Sequence, residues 1–128
     1  IYGLAVEHAN EHQTIWSGEN GLVAFYQSEY PYGVSADRFD YPGYLVENHV
    51  TSHTVYSPGI YSNFRNEPVP VTTAIVHPEH DSVKCVNPFT VKLDNHHGIN
   101  SISNGKGEST NKHGTPTRLE IDQVVSTV

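Results

Sequence analysis

The sequence predicts an all-β domain of short strands and tight turns, and three observations predict it. Eight Tyr, with abundant Val, Thr and Ile, are side chains that fit a pleated, half-buried surface. Ten Gly and eight Pro punctuate a chain that contains no long stretch of good helix formers. Most apolar runs are continuous or ragged, and only a few, such as Val91-Lys-Leu93 and Leu119-Glu-Ile121, alternate cleanly. Such runs suit strands covered on both faces or stacked in parallel. Parallel strands need long returns, which a β-helix supplies without helices, in coils of about 20 to 25 residues at a strand spacing of about 4.8 Å. Patterning alone leaves both a parallel β-helix and a sandwich or meander open.

Taken in order, the predicted strands are Tyr2 to Val6, Thr14 to Trp16, Leu22 to Gln27, Tyr44 to Glu47, Thr54 to Tyr56, Thr72 to Val76, Ser82 to Val86, Phe89 to Leu93, Ile99 to Ser103 and Leu119 to Val125. Turn signals separate them: Gly18-Glu-Asn-Gly21, Tyr41-Pro-Gly43, Ser57-Pro-Gly59, His77-Pro78, Asn87-Pro88 and Asn104-Gly105. Residues 1–99 read as the coils, 100–117 as a polar surface loop, and 118–128 as a terminal strand or tail. A coil period shows in the 22 residues from Glu7 to Glu29, where Leu4-Ala-Val-Glu7 lies over Tyr26-Gln-Ser-Glu29. Tyr44-Leu-Val-Glu47 is expected over the same layer after an insertion.

A length of 128 residues suits one domain with one modest core. The chain opens at Ile1 directly in strand-like sequence and contains no Met, so the expectation is a segment of a longer precursor. Fourteen acidic residues against seven scattered basic ones give a formal charge of −7, which argues against a nucleic-acid or anionic-membrane partner. Cys85 is single, so no internal disulfide forms, and its apolar neighbours suit an inert buried thiol. No apolar run approaches the roughly 20 residues of a membrane-spanning helix.

Two carboxylates, Glu7 and Glu29, each close a run of apolar and aromatic residues. Stacked one coil apart, they would lie within several ångströms, and their repulsion would favour protonation of one. A protonated carboxyl beside an ionised one is the equipment for cleaving a glycosidic bond. Tyr26, Tyr30, Tyr32 and Trp16 are candidate surfaces for stacking a sugar ring. The plainer alternative is a pair of solvated strand-end residues. His8-Ala-Asn-Glu-His12 spells the H-x-x-E-H zinc-protease pattern, but strands flank it where that chemistry needs a helix. Among nine His the match reads as chance, and no metal or other cofactor is expected. Asn95-His-His-Gly98 reads as a polar turn, since adjacent side chains on a strand point to opposite faces.

Three motifs in order, Tyr2-Gly-Leu-Ala-Val-Glu-His8, Gln13-Thr-Ile-Trp-Ser-Gly18 and Phe25-Tyr-Gln-Ser-Glu-Tyr-Pro-Tyr32, resemble the catalytic stretch of family 55 glycoside hydrolases, the laminarinase-type exo-β-1,3-glucanases. The likeness continues more loosely through Val50-Thr-Ser-His53, Gly59-Ile-Tyr-Ser62 and Val86-Asn-Pro-Phe-Thr-Val91. It implies a right-handed, single-stranded parallel β-helix, with this chain as the C-terminal part of a larger module. It also implies an inverting, secreted enzyme acting on β-glucan. The resemblance gives Glu29 the role of general acid and makes Glu7 a neighbour that orients or tunes it. Gln27, Tyr32 and His8 fall on motif positions near the sugar pocket. Carboxyls about 5 Å apart are too close for an inverting acid–base pair. The water-activating group is therefore expected outside this chain, in a missing N-terminal portion or another chain, and the chain alone is expected to be inactive. The second hypothesis is a non-catalytic structural or carbohydrate-binding β-helix subunit of an extracellular assembly.

Overall fold

The computed structural model describes residues 1–96 and 98–120. Within these residues ten strands form: β1 Tyr2–Glu7, β2 Thr14–Trp16, β3 Gly21–Glu29, β4 Tyr44–Val46, β5 His53–Tyr56, β6 Gly59–Ser62, β7 Ile75–Val76, β8 Val83–Val86, β9 Phe89–Lys92 and β10 Thr117–Arg118. Among the described residues there is no helix. The chain climbs in coils, each strand pairing in parallel with its counterpart one coil away. β1 pairs with β3, β3 with β5 and β6, β5 with β8, and β6 with β9, while β2, β4 and β7 form a second parallel sheet. Among the strands of the described residues only β10 runs antiparallel, against β9. These are the stacked coils of a parallel β-helix, which decides against the sandwich and the meander.

One residue per coil in the left-handed region interrupts the extended run at the same place: Gly3 (φ 74°), Phe25 (φ 67°), Ser57 (φ 50°) and Asn87 (φ 51°). The pairs Tyr2↔Ala24↔Tyr56↔Val86 and Ala5↔Gln27↔Gly59↔Phe89 bracket this corner. Three of the four carry side chains in a conformation that favours Gly and tolerates Asn, so stacking against the neighbouring coils holds Phe25 and Ser57 there. The corner also explains why Gly59–Ser62, expected only as the residues after a turn, is a strand. The chain bends at Ser57-Pro58 and extends again.

Side chains stack in columns up the interior. Val23, Val55 and Cys85 form one, and Val6, Ser28, Ile60 and Thr90 another. Thr14, Tyr44, Ile75 and Ser103 form a third on the opposite sheet. The expected strand at Ile99 to Ser103 reduces to a single bridge from Ile75 to Ser103. Within 100–117, Ile102, Ser103 and Thr110 are buried. The predicted strand through Val125 lies, beyond Glu120, outside the described residues.

The coil period is not constant. Glu7 pairs with Glu29, Glu29 with Tyr61 and Tyr61 with Val91, which are steps of 22, 32 and 30 residues. The growth comes from the returns: six residues join β1 to β2, whereas residues 30–43 join β3 to β4. Tyr44-Leu-Val-Glu47 therefore does not fall on the carboxylate layer. It forms β4 on the other sheet, with Thr14↔Tyr44 and Trp16↔Val46, and the layer after Glu29 belongs to Tyr61. Carboxylates tie successive returns together: Glu19 accepts from the Thr51 and Ser52 N–H groups, Asp40 from Thr72 N–H, and Asp94 from Phe64 N–H at 2.8 Å.

Candidate active site

The register sets Glu7 beside Glu29 at the ends of β1 and β3, as the 22-residue spacing predicts. Alternation along a strand sends Tyr26, Ser28 and Tyr30 inward and leaves Gln27 and Glu29 on the outer face. Glu7 is exposed and Glu29 half-buried. Immediately after Glu7 the chain turns at His8, a non-glycine residue at φ 60° whose N–H donates to the Glu29 carbonyl at 2.9 Å. Ligand atoms of Glu7, His8 and Glu29 all lie within 4.8 Å of one another. A cation would fit such a spacing, but exposed acidic groups commonly adopt it without one, and we assign no metal to it.

Tyr32 completes the cluster. Its ring meets the His8 ring edge-on at 4.4 Å, and the Arg65 guanidinium lies 4.0 Å from the ring centroid on the return of the next coil. Desolvation pushes the phenol pKa up, and the charge of Glu29 and a hydrogen bond to it push the same way. The Arg65 charge opposes them. Gln27 stands two residues before Glu29 on the same outer face, half-buried, between Ala5 and Gly59 of the adjacent coils.

Tyr30 is not part of this surface. It is fully buried, against Phe39 at 5.2 Å and stacked on Phe64 at 6.0 Å. The reason is parity: it follows the outward Glu29 by one residue and so points into the core. Tyr26 is also fully buried, its hydroxyl bonded to Thr14 and to the Gly43 carbonyl. Trp16 packs on His53 at 4.6 Å in the second sheet. Of the four aromatics considered for sugar stacking, only Tyr32 reaches the carboxylates. His8 to His12 lie on a non-helical return, with His12 packed on Tyr41, so the zinc-protease geometry does not form. In Asn95-His-His-Gly98, His97 lies outside the described residues.

Two members of the surface escape sequence reasoning, Tyr61 and Arg65. Tyr61 is the rung after Glu29 in the same column, and Arg65 donates its N–H to the Tyr32 carbonyl at 3.1 Å. Arg65 sits in no motif, and Tyr61 falls only in the looser Gly59-Ile-Tyr-Ser62 likeness, which assigns it no role. Only knowledge that the second coil spans 32 residues rather than 22 would have aligned them.

Stacked parallel coils with a carboxylate pair at one strand end make this a parallel β-helix. The family model for the LAM55 pectate lyase-like domain matches residues 1–29, the stretch that carries both carboxylates. An exo-beta-1,3-glucanase from Streptomyces sp. (strain SirexAA-E / ActE) is 38% identical over 73 residues, which is 52% of this chain and 12% of that protein. The solved structure of sacteLam55A from Streptomyces sp. SirexAA-E superposes with a TM-score of 0.85 at 28% identity, covering 93% of this chain and 23% of that one. A variant of the same protein in complex with glucose gives a TM-score of 0.86 at 27% identity, with the same coverage. In motif, sequence and fold, this chain is similar to the family 55 glycoside hydrolases, and it spans less than a quarter of the relatives it matches.

Proposed function

We propose that this chain supplies the general-acid side of the active site of a secreted β-1,3-glucan hydrolase, with Glu29 as the acid. The observation that carries the reading is the pairing of Glu7 with Glu29 at the ends of adjacent strands, beside Tyr32 and within the matched segment. Glu29, the less exposed of the two, donates a proton to the glycosidic oxygen as the bond breaks. Glu7, paired with it one coil away, orients the acid. Tyr32, Gln27 and His8 border the sugar.

Carboxylate oxygens within 4.8 Å of each other are closer than the pair of an inverting enzyme, whose wider gap admits the attacking water on the far side of the sugar. A retaining reaction would use Glu7 as nucleophile, whereas inversion needs a base at about 6.5–9.5 Å. The similarity to family 55 favours inversion, so Glu7 is not the base in this reading. The water-activating group comes from residues beyond this chain, which spans 23% of the matched structures. The coils wind right-handed, as crossovers between parallel strands nearly always do. β-Glucan is the substrate, and neither nucleic acid nor membrane is a partner.

The experiment is Glu29→Gln in the longer protein that this reading requires. Glucose release from laminarin should fall by roughly 10²- to 10⁴-fold, and retained hydrolysis would sink the acid assignment. The 128 residues alone should release no glucose, and robust release by them would refute the missing-base reading. A carbohydrate-binding scaffold without catalysis is the alternative, and sugar binding without turnover in the unmutated longer protein would favour it.

A further inference from the structure

We infer that Arg65 is a positioning residue: with His8 it clamps the Tyr32 ring so that the phenol stays against the Glu29 carboxylate. Three successive coils meet at this ring. His8, from the return after β1, closes one edge at 4.4 Å with the ring planes 65° apart. Arg65, from the return after β6, covers a face at 4.0 Å, and its backbone N–H fixes the Tyr32 carbonyl at 3.1 Å. His8 is in turn tied to the Glu29 carbonyl. The backbone of the carboxylate strand and the ring beside it are therefore held by the same two residues.

A planar guanidinium can stack on an aromatic face while remaining exposed. Among the described residues Arg65 makes no ion pair. Its contacts are with Tyr32. The consequence is electrostatic as well as steric. Arg65 pulls the phenol pKa down while Glu29 and desolvation push it up, so the cation balances the charge that Tyr32 would otherwise face alone. Tyr32 in turn shares a hydrogen bond with Glu29. Loss of the clamp should free the phenol and change the proton affinity of the acid. The catalytic half of this inference rests on the reading of Glu29 as the acid, whereas the clamp itself does not.

The test uses Arg65→Gln, which removes the charge, and Arg65→Lys, which keeps it. In the 128-residue chain, the Tyr32 ¹³Cζ resonance should titrate at higher pH in Arg65→Gln than in the unmutated chain. Arg65→Lys should return most of the shift, with the melting temperature unchanged in both. In the longer protein, Arg65→Gln should lower kcat on laminarin by about 3- to 10-fold, displace the alkaline limb of the pH–rate profile, where the general acid loses its proton, and leave KM nearly unchanged. An unmoved Tyr32 titration overturns the clamp. A loss of kcat that is uniform in pH and tracks a lowered melting temperature also overturns it, in favour of a merely structural role. An active Glu29→Gln enzyme whose Tyr32 titration still responds to Arg65 overturns the proposed function instead, so the two failures are distinguishable.

Discussion

Asp94, Asp40 and Glu19 stand at the coil returns with their oxygens taken up by backbone N–H groups, whereas Glu7 and Glu29 stand at strand ends facing each other. Asp94 accepts from Phe64 N–H at 2.8 Å and from His96 N–H at 2.7 Å, and Glu19 from Thr51 N–H at 2.8 Å and Ser52 N–H at 2.9 Å. Among the described residues no backbone N–H reaches the carboxylate of Glu7 or Glu29. The first group holds one coil to another. The second is left facing its neighbour and Tyr32. The same residue types thus serve opposite ends, and the difference lies in where the backbone N–H groups point.

Exchanging the two roles by mutation should separate stability from chemistry. The largest stability effect is expected at Asp94, because Asp94→Ala leaves two N–H groups without partners near the core. A loss of about 2–4 kcal/mol is expected in urea unfolding. Glu7→Gln or Glu29→Gln in the same assay should leave the midpoint unchanged or raise it slightly, since each relieves like-charge repulsion.

A smaller effect comes from His53, buried between Trp16 and Tyr44 with Nε2 2.9 Å from the Tyr44 hydroxyl. Burial first, and then the charge of His77, lowers its pKa from 6.5 to about 4. Between those values the unfolded chain binds a proton that the folded chain refuses. Stability is therefore full above pH 6.5 and declines as pH falls toward about 4. His53→Gln should flatten this decline in thermal melts across pH 4 to 7. An unchanged slope would assign the decline to other groups.

Glu19 should give the smallest change. Its pKa is lowered, chiefly by the Thr51 N–H, so its contribution is present above 4.5 and is lost as pH falls through the folded value. Glu19→Gln should lower the melting temperature slightly at pH 7 and leave it unaltered near pH 3.

The all-β class was legible from composition, and the Glu7–Glu29 stack from a single spacing, because the first return is short. Tyr44-Leu-Val-Glu47 misled because the next return is longer by eight residues and moved the layer to Tyr61. Tyr30 misled because a motif word gives proximity along the chain, whereas strand parity decides which way a side chain points. Arg65 could not be read at all, since its place over Tyr32 depends on stacking between coils rather than on neighbouring residues. The left-handed corner at Phe25, Ser57 and Asn87 was equally hidden. Only Asn87 belongs to a residue type enriched there, and tertiary stacking holds the other two.

The claim that Glu29 protonates a leaving group is tested most directly by the dependence of its mutant on that group. Kinetics of Glu29→Gln in the longer protein should be compared on laminarin and on an aryl β-glucoside whose phenol is acidic enough to depart unprotonated. The account predicts a loss of roughly 10²- to 10⁴-fold on laminarin and less than about tenfold on the aryl glucoside. An equal loss on both substrates would contradict it.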